Sequence, residues 1–415
     1  MCQVSTPGAA ASVGRKLTAE AEVKKHDEDQ VEHDTLVVDL TEIDAVGSVL
    51  DDLGIVVSHT EKLEVFDLAL LKLTLGGEEL TDIDPVLAEL RARFAGRCAG
   101  WSPLLGKNRR MASVFGAYPQ TKSMSVWDPL AADKDSLRPF TGSDGTGVRV
   151  GLLDTRIYNH PALAGSRIVA PDPATRFDKV PGKQYTVEDG HGVFTAGLIL
   201  QQAPGATLVA RHALGSDGKA YAWDVVTMLA EFLKDRQEDR VQLLVLASGC
   251  RNTLDGRPPL IVERAMERLS AHMMVVAAAG NHGIVEGMSS DVHTTRNSAT
   301  WPAALPRVVA VGVAGANYSP DLPWVDCVVD LGEDARFVST FLEDADVKMI
   351  DDASDPDFSQ GYASWVGTSC AAAYVGGTVA AKMAAGGHKT AYEALDDVCA
   401  GPTVRKFDWT FRKDG

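Results

Sequence analysis

A buried strand with a reactive end is predicted by the stretch Val148-Arg-Val-Gly-Leu-Leu-Asp154, in which an apolar run leads directly into a carboxylate. Four later runs are equally dense in valine, leucine and other apolar residues, and they lie at Thr207–Ala210, Leu243–Leu246, Met274–Ala277 and Val308–Val313. Helical patterns such as Ala222–Lys234 and Pro259–Ala271 separate some of these runs. Continuous apolar strands that alternate with helices indicate an α/β fold with a mainly parallel sheet covered on both faces.

The residues on either side of this sheet follow different patterns. Residues 1–34 are small, polar and charged, which is typical of a disordered tail. Residues 35–98 alternate between strand-like and helix-like segments in the order β-α-β-β-α, which predicts a small α+β, ferredoxin-like domain. We expect residues 99–146 to be a linker or wrapping arm, residues 147–390 to form the sheet domain, and residues 391–415 to be a C-terminal tail.

The composition argues against several classes of function. The chain has 40 Lys and Arg residues against 57 Asp and Glu, for a formal net charge of −17, so binding to nucleic acid or anionic membranes is not expected. No apolar run is long enough to predict a membrane span, and the N-terminal stretch lacks the apolar core of a secretory signal. Six cysteines without a CxxC pair favour free thiols in a reducing compartment. We therefore expect a cytoplasmic protein.

Four polar side chains are predicted to meet at the carboxyl edge of the sheet, where ligands of such folds bind. Asp154 ends the first strand, His191 opens a helix after a glycine-containing turn, and Ser369 opens a second helix. Asn281 follows the strand at Met274–Ala277. A serine hydroxyl becomes a nucleophile when an imidazole takes its proton, and that imidazole needs a carboxylate to orient it. Each signal alone is better explained by a cap or a turn, but their combination predicts a catalytic set.

The segments around these residues resemble those of the subtilisin-like serine peptidases, or subtilases. The matching segments are Val148–Asn159, Asp189–Ile199, Val275–Gly283, Thr300–Val313 and Trp365–Val379. The resemblance implies a subtilisin-like three-layer αβα fold over residues 147–390. It also implies a serine endopeptidase that acts on a peptide or protein through an acyl-enzyme. By this resemblance, Asp154 orients His191, which serves as general base and then acid. Ser369 attacks the scissile carbonyl, and Asn281 donates to the oxyanion.

The resemblance extends, more weakly, to the substrate groove. The implied binding residues are Gly218 and Ala220 on one edge, Ser248 and Gly249 on the other, and Ala278, Ala279 and Gly280 around the pocket for the residue before the cut. A peptide between the two edges would gain main-chain hydrogen bonds by strand addition. Because the pocket residues are small, we expect a large apolar side chain there.

No cofactor is expected from the motifs of the chain. The sequence contains no HExxH, no GxxxxGK[ST], no GxGxxG and no paired CxxC. The segment Gln201-Gln-Ala-Pro-Gly205 leads directly into a strand, whereas many secreted subtilases have a longer calcium-binding loop there. We therefore predict no tight calcium site at that position. The acidic stretch Glu343–Asp357 is more typical of a solvated loop than of a metal site.

Departures from the family pattern keep a second function open. The family's usual glycine is Arg156, its Thr-His pair is Val193-Phe194, its proline after the nucleophile is Ala373, and its Asn-x-Ser-Leu-Gly pattern is Val245–Gly249. None removes a catalytic atom, but the alternative is a catalytically impaired subtilase-fold binding or regulatory protein. Cys370, next to Ser369, is either a thiol with a lowered pKa or an inert packed one.

The small N-terminal domain also has two interpretations. Many subtilases carry a pro-domain of β-α-β-β-α-β type that blocks the cleft, and residues 35–98 resemble it coarsely. The domain is then an intramolecular inhibitor removed by a cut in the following arm, or else an accessory domain that is retained. The missing signal segment favours the maturation of one precursor peptide over the degradation of nutrients.

Overall fold

The structure is a computed structural model that describes residues 31–113, 129–170, 178–180, 182–250, 257–283, 298–320, 324–332, 336–345 and 356–406. The chain divides into two units, and the first consists of Met1–Arg110, Tyr221–Ala230 and Pro259–Ala265. The second unit consists of Met111–Ala220, Glu231–Pro258 and Met266–Gly415. Most of the predicted disordered tail, residues 1–30, lies outside the described residues.

The first unit is built on an antiparallel sheet. Its strands are β1 (Thr35–Asp39), β2 (Ile55–Leu63), β3 (Leu68–Leu75), β4 (Glu78–Glu79) and β5 (Leu105–Gly106). They are ordered β2-β3-β1-β5, with β4 paired to β3. Helix α1 (Ile43–Asp52) connects β1 to β2, and helix α2 (Asp84–Arg97) follows β4. Apart from the short β4, residues 35–98 have the β-α-β-β-α order that the sequence predicts, and β5 adds a last strand beyond them.

The helices of this first unit lie where the sequence places them because each has one apolar face. In α1 the buried residues Val46, Val49 and Leu50 recur at intervals of three or four along the sequence, as an amphipathic helix requires. Helix α2 has a proline in its first turn, where no backbone N–H is needed. Their apolar side chains share one core with those of the sheet, such as Leu36 and Leu71.

The second unit contains a larger, mainly parallel sheet. Its strands are β8 (Arg149–Asp154), β9 (Arg167–Val169), β10 (Thr207–His212), β12 (Leu243–Leu246), β14 (Met274–Ala278), β15 (Val308–Val313), β16 (Cys327–Val329) and β19 (Val404–Lys406). They are ordered β19-β16-β15-β14-β12-β8-β10-β9, and β19 is the antiparallel member. Strands β12, β14 and β15 are buried along their whole length, as their continuous apolar sequences predict.

Five further helices follow along the described sequence. They are α3 (His191–Gln202), α4 (Ala222–Lys234), α5 (Leu260–Leu269), α6 (Thr368–Ala384) and α7 (Ala391–Val398). Of these, α4 and α5 belong in large part to the first unit. Helix α6 runs through the core because its residues are small. A Cβ atom at Gly376 would overlap the side chain of Val245, and one at Gly377 would lie 2.5 Å from the carbonyl oxygen of Ile199. The two glycines thus let α6 pack closely against β12 and α3.

Two small sheets complete the structure. One contains β11 (Lys219–Tyr221), β6 (Arg110–Ser113) and β13 (Ser248–Gly249), in that order. The other contains β17 (Phe337–Thr340), β18 (Tyr362–Trp365) and β7 (Leu130–Ala131). The arm predicted at 99–146 thus contributes strands, and the predicted tail at 391–415 includes α7 and β19. Such short strands pair with distant partners and therefore leave no local periodicity in the sequence.

The described helices were also compared with what a membrane span requires. A bilayer crossing needs about 20 consecutive apolar residues. None of the helices in the described ranges combines sufficient length with sufficient apolar character to cross a membrane.

Candidate active site

Three side chains from distant parts of the sequence form a continuous chain of hydrogen bonds. The Nδ1 atom of His191 lies 2.7 Å from Oδ1 of Asp154, and its Nε2 atom lies 3.0 Å from Oγ of Ser369. Asp154 ends β8, His191 begins α3, and Ser369 is the second residue of α6. All three side chains are buried. The structure therefore brings together the carboxylate, the imidazole and the hydroxyl that the sequence singled out.

The carboxylate of Asp154 is held by more than His191. Its Oδ1 atom accepts a hydrogen bond of 2.6 Å from the backbone N–H of Thr155. Its Oδ2 atom lies 2.9 Å from Oγ1 of Thr195, which is fully buried. The Thr195 hydroxyl has one hydrogen, and its other acceptors are the more distant carbonyl oxygens of His191 and Gly192, at 3.1 and 3.2 Å. Of the three acceptors, the carboxylate is the closest and the only one that is charged. We therefore assign the hydrogen bond of Thr195 to Asp154.

Sequence reasoning did not identify Thr195. The available signal was its position on α3, one turn after His191, because residues four apart lie on the same face of a helix. A hydroxyl on that face can reach a carboxylate that the histidine also contacts. In the structure, Thr195 and His191 therefore contact the two different oxygens of Asp154.

Aromatic side chains enclose the imidazole on another side. The rings of His191 and Trp365 meet edge to face, with centroids 5.6 Å apart and planes at 85°. Trp365 also packs edge to face against Phe194 and Phe341. Phe194 is one of the departures from the family pattern, and the structure explains it as a core residue that supports Trp365. Trp365 was not identified from the sequence because β18 lies far from α3 along the chain.

Asn281 is fixed by the start of α6. Its Oδ1 atom accepts a hydrogen bond of 2.9 Å from the backbone N–H of Thr368. The Thr368 hydroxyl in turn accepts from the N–H of Gly280 at 3.0 Å and lies 3.1 Å from the carbonyl oxygen of Gly280. Because Thr368 immediately precedes Ser369, the carboxamide is held beside the nucleophile candidate. Thr368 is the third residue, after Thr195 and Trp365, that the sequence did not identify.

The structure decides between the two interpretations of Cys370. Its thiol lies 3.9 Å from Oγ of Ser369 and is buried. Burial raises the pKa of the thiol to about 12, because the charged thiolate loses its hydration, and the nearby carboxylate of Asp154 acts in the same direction. The interpretation with a lowered pKa is therefore wrong, and Cys370 is a packed thiol.

The residues predicted for the substrate groove lie on both sides of a strand of the same chain. In β6, the backbone N–H of Ser113 donates to the carbonyl oxygen of Gly218 at 2.8 Å. On its other edge, Ser113 lies opposite Ser248 and Ala112 lies opposite Gly249 in an antiparallel pair. Strand β6 therefore lies between the two predicted edges of the groove.

The remaining groove candidates lie close to these elements. Ala220 belongs to β11, on the same edge as Gly218. Ala278 ends β14, and Ala279 and Gly280 continue the chain towards Asn281. Gly280 has a φ of 110°, in the left-handed region that favours glycine, and its hydrogen bonds to Thr368 keep this segment beside the start of α6.

Metal-binding side chains were sought throughout the described sequence. Within it, no group of three or more His, Cys, Asp or Glu side chains could hold a metal ion. Helix α3 ends at Gln202 and β10 begins at Thr207, so the connection is as short as the sequence indicates. Part of the acidic stretch Glu343–Asp357 lies outside the described residues. The absence of a tight calcium site stays a prediction.

Part of the chain is similar in sequence to known proteins. The profile of the Subtilase family matches residues 145–396, which is more than half of the chain. Subtilisin BL from Lederbergia lenta is 28% identical over 189 residues, which cover 42% of this chain and 59% of the relative. The alkaline protease of Alkalihalobacillus alcalophilus is also 28% identical over 189 residues, covering 42% of each protein. The chain thus spans less than two thirds of the length of these relatives.

A solved structure supports the fold assignment. The crystal structure of fervidolysin from Fervidobacterium pennivorans, described as a keratinolytic enzyme related to subtilisin, superposes with a TM-score of 0.57 at 17% sequence identity. The match covers 88% of this chain and 57% of fervidolysin. The predicted three-layer α/β fold with a mainly parallel sheet is therefore confirmed.

Proposed function

Since the chain belongs to the subtilase family, we propose that it is a serine endopeptidase that hydrolyses peptide bonds through an acyl-enzyme. The observation that carries the proposal is the hydrogen-bonded chain from Asp154 through His191 to Ser369. An imidazole held between a carboxylate and a hydroxyl can accept the hydroxyl proton as the oxygen attacks a carbonyl.

The reaction follows from these contacts. Ser369 Oγ adds to the scissile carbonyl while its proton passes to Nε2 of His191, and Asp154 stabilises the resulting imidazolium through Nδ1. The imidazolium then gives the proton to the leaving amine as the carbon–nitrogen bond breaks. Water, deprotonated by the same imidazole, attacks the acyl-enzyme and releases Ser369. The hydrogen bond from Thr195 to Oδ2 supports a positioning role, because it restricts rotation of the carboxylate that orients His191.

The oxyanion would be stabilised by Asn281 and the start of α6. The Asn281 carboxamide is oriented through its oxygen, which accepts from Thr368, so that its nitrogen is the donor end of the group. The backbone N–H of Ser369 lies in the first turn of α6, where N–H groups have no intrahelical acceptor. Donors fixed before the reaction stabilise the developing charge without reorganisation.

The proposed substrate is a peptide segment that binds in extended form between β11 and β13. The support is that β6 already binds there as a strand, with Ser113 donating to Gly218 and pairing with Ser248. The small residues Ala278, Ala279 and Gly280 would then surround the side chain before the cut, where we expect a large apolar residue. A groove that holds a strand of its own chain also favours restricted processing, such as maturation of a specific precursor peptide, over general degradation.

The N-terminal part of the first unit, residues 35–98, is proposed to act as an intramolecular inhibitor. Within that unit, Asp39 of β1 pairs with Arg264 of α5 at 3.2 Å, and Glu61 of β2 accepts a hydrogen bond of 2.7 Å from the indole N–H of Trp223 in α4. The N-terminal sheet is thus fastened to residues that follow it by more than 100 positions in the chain. From residues 35–98 the chain continues towards β6, which lies between β11 and β13, the two predicted edges of the groove, and this position supports the proposal.

Mass spectrometry tests the inhibitor proposal. We expect the wild-type protein to acquire a new N-terminus between residues 114 and 129, the stretch that follows β6, while Ser369→Ala remains full-length. An active protein that keeps its full mass would exclude obligatory removal of the N-terminal domain and would favour a retained accessory domain.

An activity-based probe tests the proposed function directly. A fluorophosphonate should label the wild-type protein, whereas Ser369→Ala should be unlabelled and His191→Ala should label far more weakly. The circular dichroism spectrum of each variant serves as the folding control. A wild-type protein that is correctly folded but unlabelled, before and after removal of the N-terminal domain, would favour the alternative of an impaired binding or regulatory protein. A profile of new N-termini in a proteome digest would then identify the preferred cleavage site.

A further inference from the structure

Two cysteines that are distant in the sequence meet at the wall of a cavity in the second unit. Cys327 opens β16, and Cys399 is the residue that caps the end of α7. Their thiols are hydrogen-bonded to each other. The cavity beside them has a volume of about 590 Å³, and its lining also includes Arg307, Tyr392 and Lys406.

The surrounding contacts hold the two sulfur atoms in this arrangement. Strand β19 pairs antiparallel with β16, and this pairing places Lys406 opposite Cys327. The Nζ atom of Lys406 lies 2.7 Å from Oδ1 of Asp396, which is three residues before Cys399 on α7. The backbone N–H of Cys399 donates to the carbonyl oxygen of Leu395 at 2.8 Å. The thiol contact is therefore supported on both the strand and the helix.

The two thiols differ in exposure. Both cysteines line the cavity, but Cys399 is only partly buried, whereas Cys327 is buried. A small reagent in the cavity would therefore reach Cys399 first. Cys327 would remain behind it, within reach of the Cys399 sulfur and shielded from solvent.

The pKa values of the two thiols also differ, and the difference again favours reaction at Cys399. The hydrogen bond with Cys327 and the positive charge of Lys406 lower the pKa of Cys399, although its partial burial acts in the opposite direction. The same hydrogen bond and complete burial raise the pKa of Cys327. Since the thiolate is the nucleophile in disulfide exchange, Cys399 is the attacking residue and Cys327 the resolving one.

We propose that Cys399 and Cys327 form a reversible dithiol–disulfide site that small-molecule disulfides oxidise. The Cys399 thiolate attacks one sulfur of the small disulfide, so that a mixed disulfide forms and one small thiolate leaves. The Cys327 sulfur then attacks Cys399 Sγ, its proton goes to the second departing thiolate, and the mixed disulfide breaks. In total the two protein thiols are oxidised to one disulfide, and one small disulfide is reduced to two thiols.

The bridge would fasten the end of α7 to β16. It would close a loop that contains α6, and a cross-link over a loop of this length restricts the unfolded chain strongly. None of the residues that form the site belongs to the hydrogen-bonded chain of Asp154, His191 and Ser369. The expected effect is therefore on thermal stability, and it does not depend on the proposed peptidase function.

The experiment uses the full chain in the Ser369→Ala background, which prevents self-cleavage. The reduced protein is incubated with excess oxidised glutathione, remaining thiols are blocked with N-ethylmaleimide, and peptides are mapped by mass spectrometry without reduction. We expect a linked Cys327–Cys399 peptide and a Tm that rises by several degrees, both reversed by dithiothreitol. Cys327→Ser should stop at a single glutathione adduct on Cys399, and Cys399→Ser should form neither bridge nor adduct at Cys327.

Cys98→Ser is the matched control, since Cys98 is exposed and lies in the first unit. It should leave the Cys327–Cys399 bridge and the rise in Tm unchanged. The proposal would be overturned if the folded parent protein gave no linked peptide, or if Cys399 kept its glutathione adduct while Cys327 was present. Peptide mapping of the Ser369→Ala protein with all its cysteines tests the proposal even if a cysteine variant does not fold.

Discussion

Two histidines of the second unit are both buried, yet their ring nitrogens have different kinds of partners. His191 is held between a carboxylate and a hydroxyl. His160 contacts the carbonyl oxygen of Gly361 through Nε2 at 2.8 Å, and its Nδ1 accepts from the backbone N–H of Ala162 at 3.2 Å. Both rings also meet an aromatic neighbour edge to face, Trp365 for His191 and Tyr362 for His160.

The difference lies in what each ring can do with a second proton. At His160 the accepting nitrogen is occupied by an amide hydrogen, so protonation would break that hydrogen bond. Burial lowers the pKa of His160, and the nearby Lys179 adds to this effect, although Gly361 and Glu343 oppose it. At His191 both nitrogens face groups that remain compatible with the imidazolium. Burial therefore does not distinguish a general base from a structural histidine, whereas the identity of the partners does.

The largest expected effect is the loss of the imidazole in the chain of hydrogen bonds. We expect His191→Ala or Ser369→Ala to lower kcat by about 10⁶-fold, a figure taken from subtilisin itself rather than derived for this chain. The measurement is peptide hydrolysis at saturating substrate, with the melting curve as the folding control. A well-folded His191→Ala protein within tenfold of wild type would contradict the distinction between the two histidines.

The next largest effect is expected at the proposed oxyanion donor. Asn281→Ala should lower kcat by about 10²- to 10³-fold with little change in KM, because the lost hydrogen bond forms in the transition state; this range also comes from subtilisin. Asn281→Asp is the matched variant, since it keeps an acceptor for the Thr368 N–H but loses the donor. A rise in KM by the same factor, without a fall in kcat, would assign Asn281 to substrate binding instead.

A smaller effect is expected at Thr195. This residue contacts Asp154, the carboxylate partner of His191, and not the imidazole itself. Thr195→Val removes the hydrogen bond to Asp154 while keeping the side-chain shape, and we expect kcat to fall by about tenfold, equivalent to about 1.4 kcal/mol. The measurement is kcat and KM in the same peptide assay, with the melting curve as the folding control.

Rescue by a conservative variant separates positioning from packing at this residue. Thr195→Ser keeps the hydroxyl and should recover most of the lost kcat. If Thr195→Val changed only the melting temperature and left kcat unchanged, its role would be structural.

At His160 the expected effect is on stability rather than on turnover. His160→Gln keeps a donor for the Gly361 carbonyl but loses the interaction with Ala162, so we expect a loss of about 1–2 kcal/mol in the free energy of unfolding and a kcat within twofold of wild type. The unfolded chain binds a proton below about pH 6.5, whereas the folded chain with its lowered pKa does not. Stability should therefore fall as the pH drops below this value, and less steeply in the variant.

Denaturant titrations between pH 5 and pH 7.5 measure this dependence. Parallel pH profiles of the two proteins would show that His160 is not the group responsible. A large loss of kcat in a stable His160→Gln protein would remove the distinction from His191.

The smallest effect is expected from removing metal ions. The short connection between α3 and β10 leaves out the calcium loop of many secreted subtilases, so excess EDTA should leave Tm unchanged to within about one degree. Differential scanning calorimetry with and without added Ca²⁺ is the measurement. A marked fall in Tm with EDTA that Ca²⁺ reverses would reveal a calcium site in this protein.

The sequence predicts the large sheet well and the small ones poorly. Strands such as Leu243–Leu246 and Val308–Val313 occupy the predicted residues, because a strand buried on both faces is apolar throughout. Strand β6 could not be predicted, because the residues around Ala112 acquire their strand conformation from Gly218, Ser248 and Gly249, which lie far away in the sequence.

The same distinction holds within the site. Asp154, His191, Ser369 and Asn281 stand at ends of strands and helices, where a local pattern can place them. Trp365 has no local pattern, because it is brought against His191 by contacts between elements distant in the chain. Partners of catalytic groups are therefore the part of a site that requires coordinates.

The packing of helix α6 has a consequence for the thermal inactivation of the protein. Ser369 is carried on a helix that Gly376 and Gly377 bring against Val245 and Ile199, so the hydroxyl cannot drift away while the sheet stays intact. When reactive groups lie on loops, local unfolding can inactivate a protein gradually. The packing of α6 prevents such local unfolding around Ser369. Thermal inactivation and global unfolding should coincide on one curve, and residual turnover after a heat pulse would count the surviving native molecules.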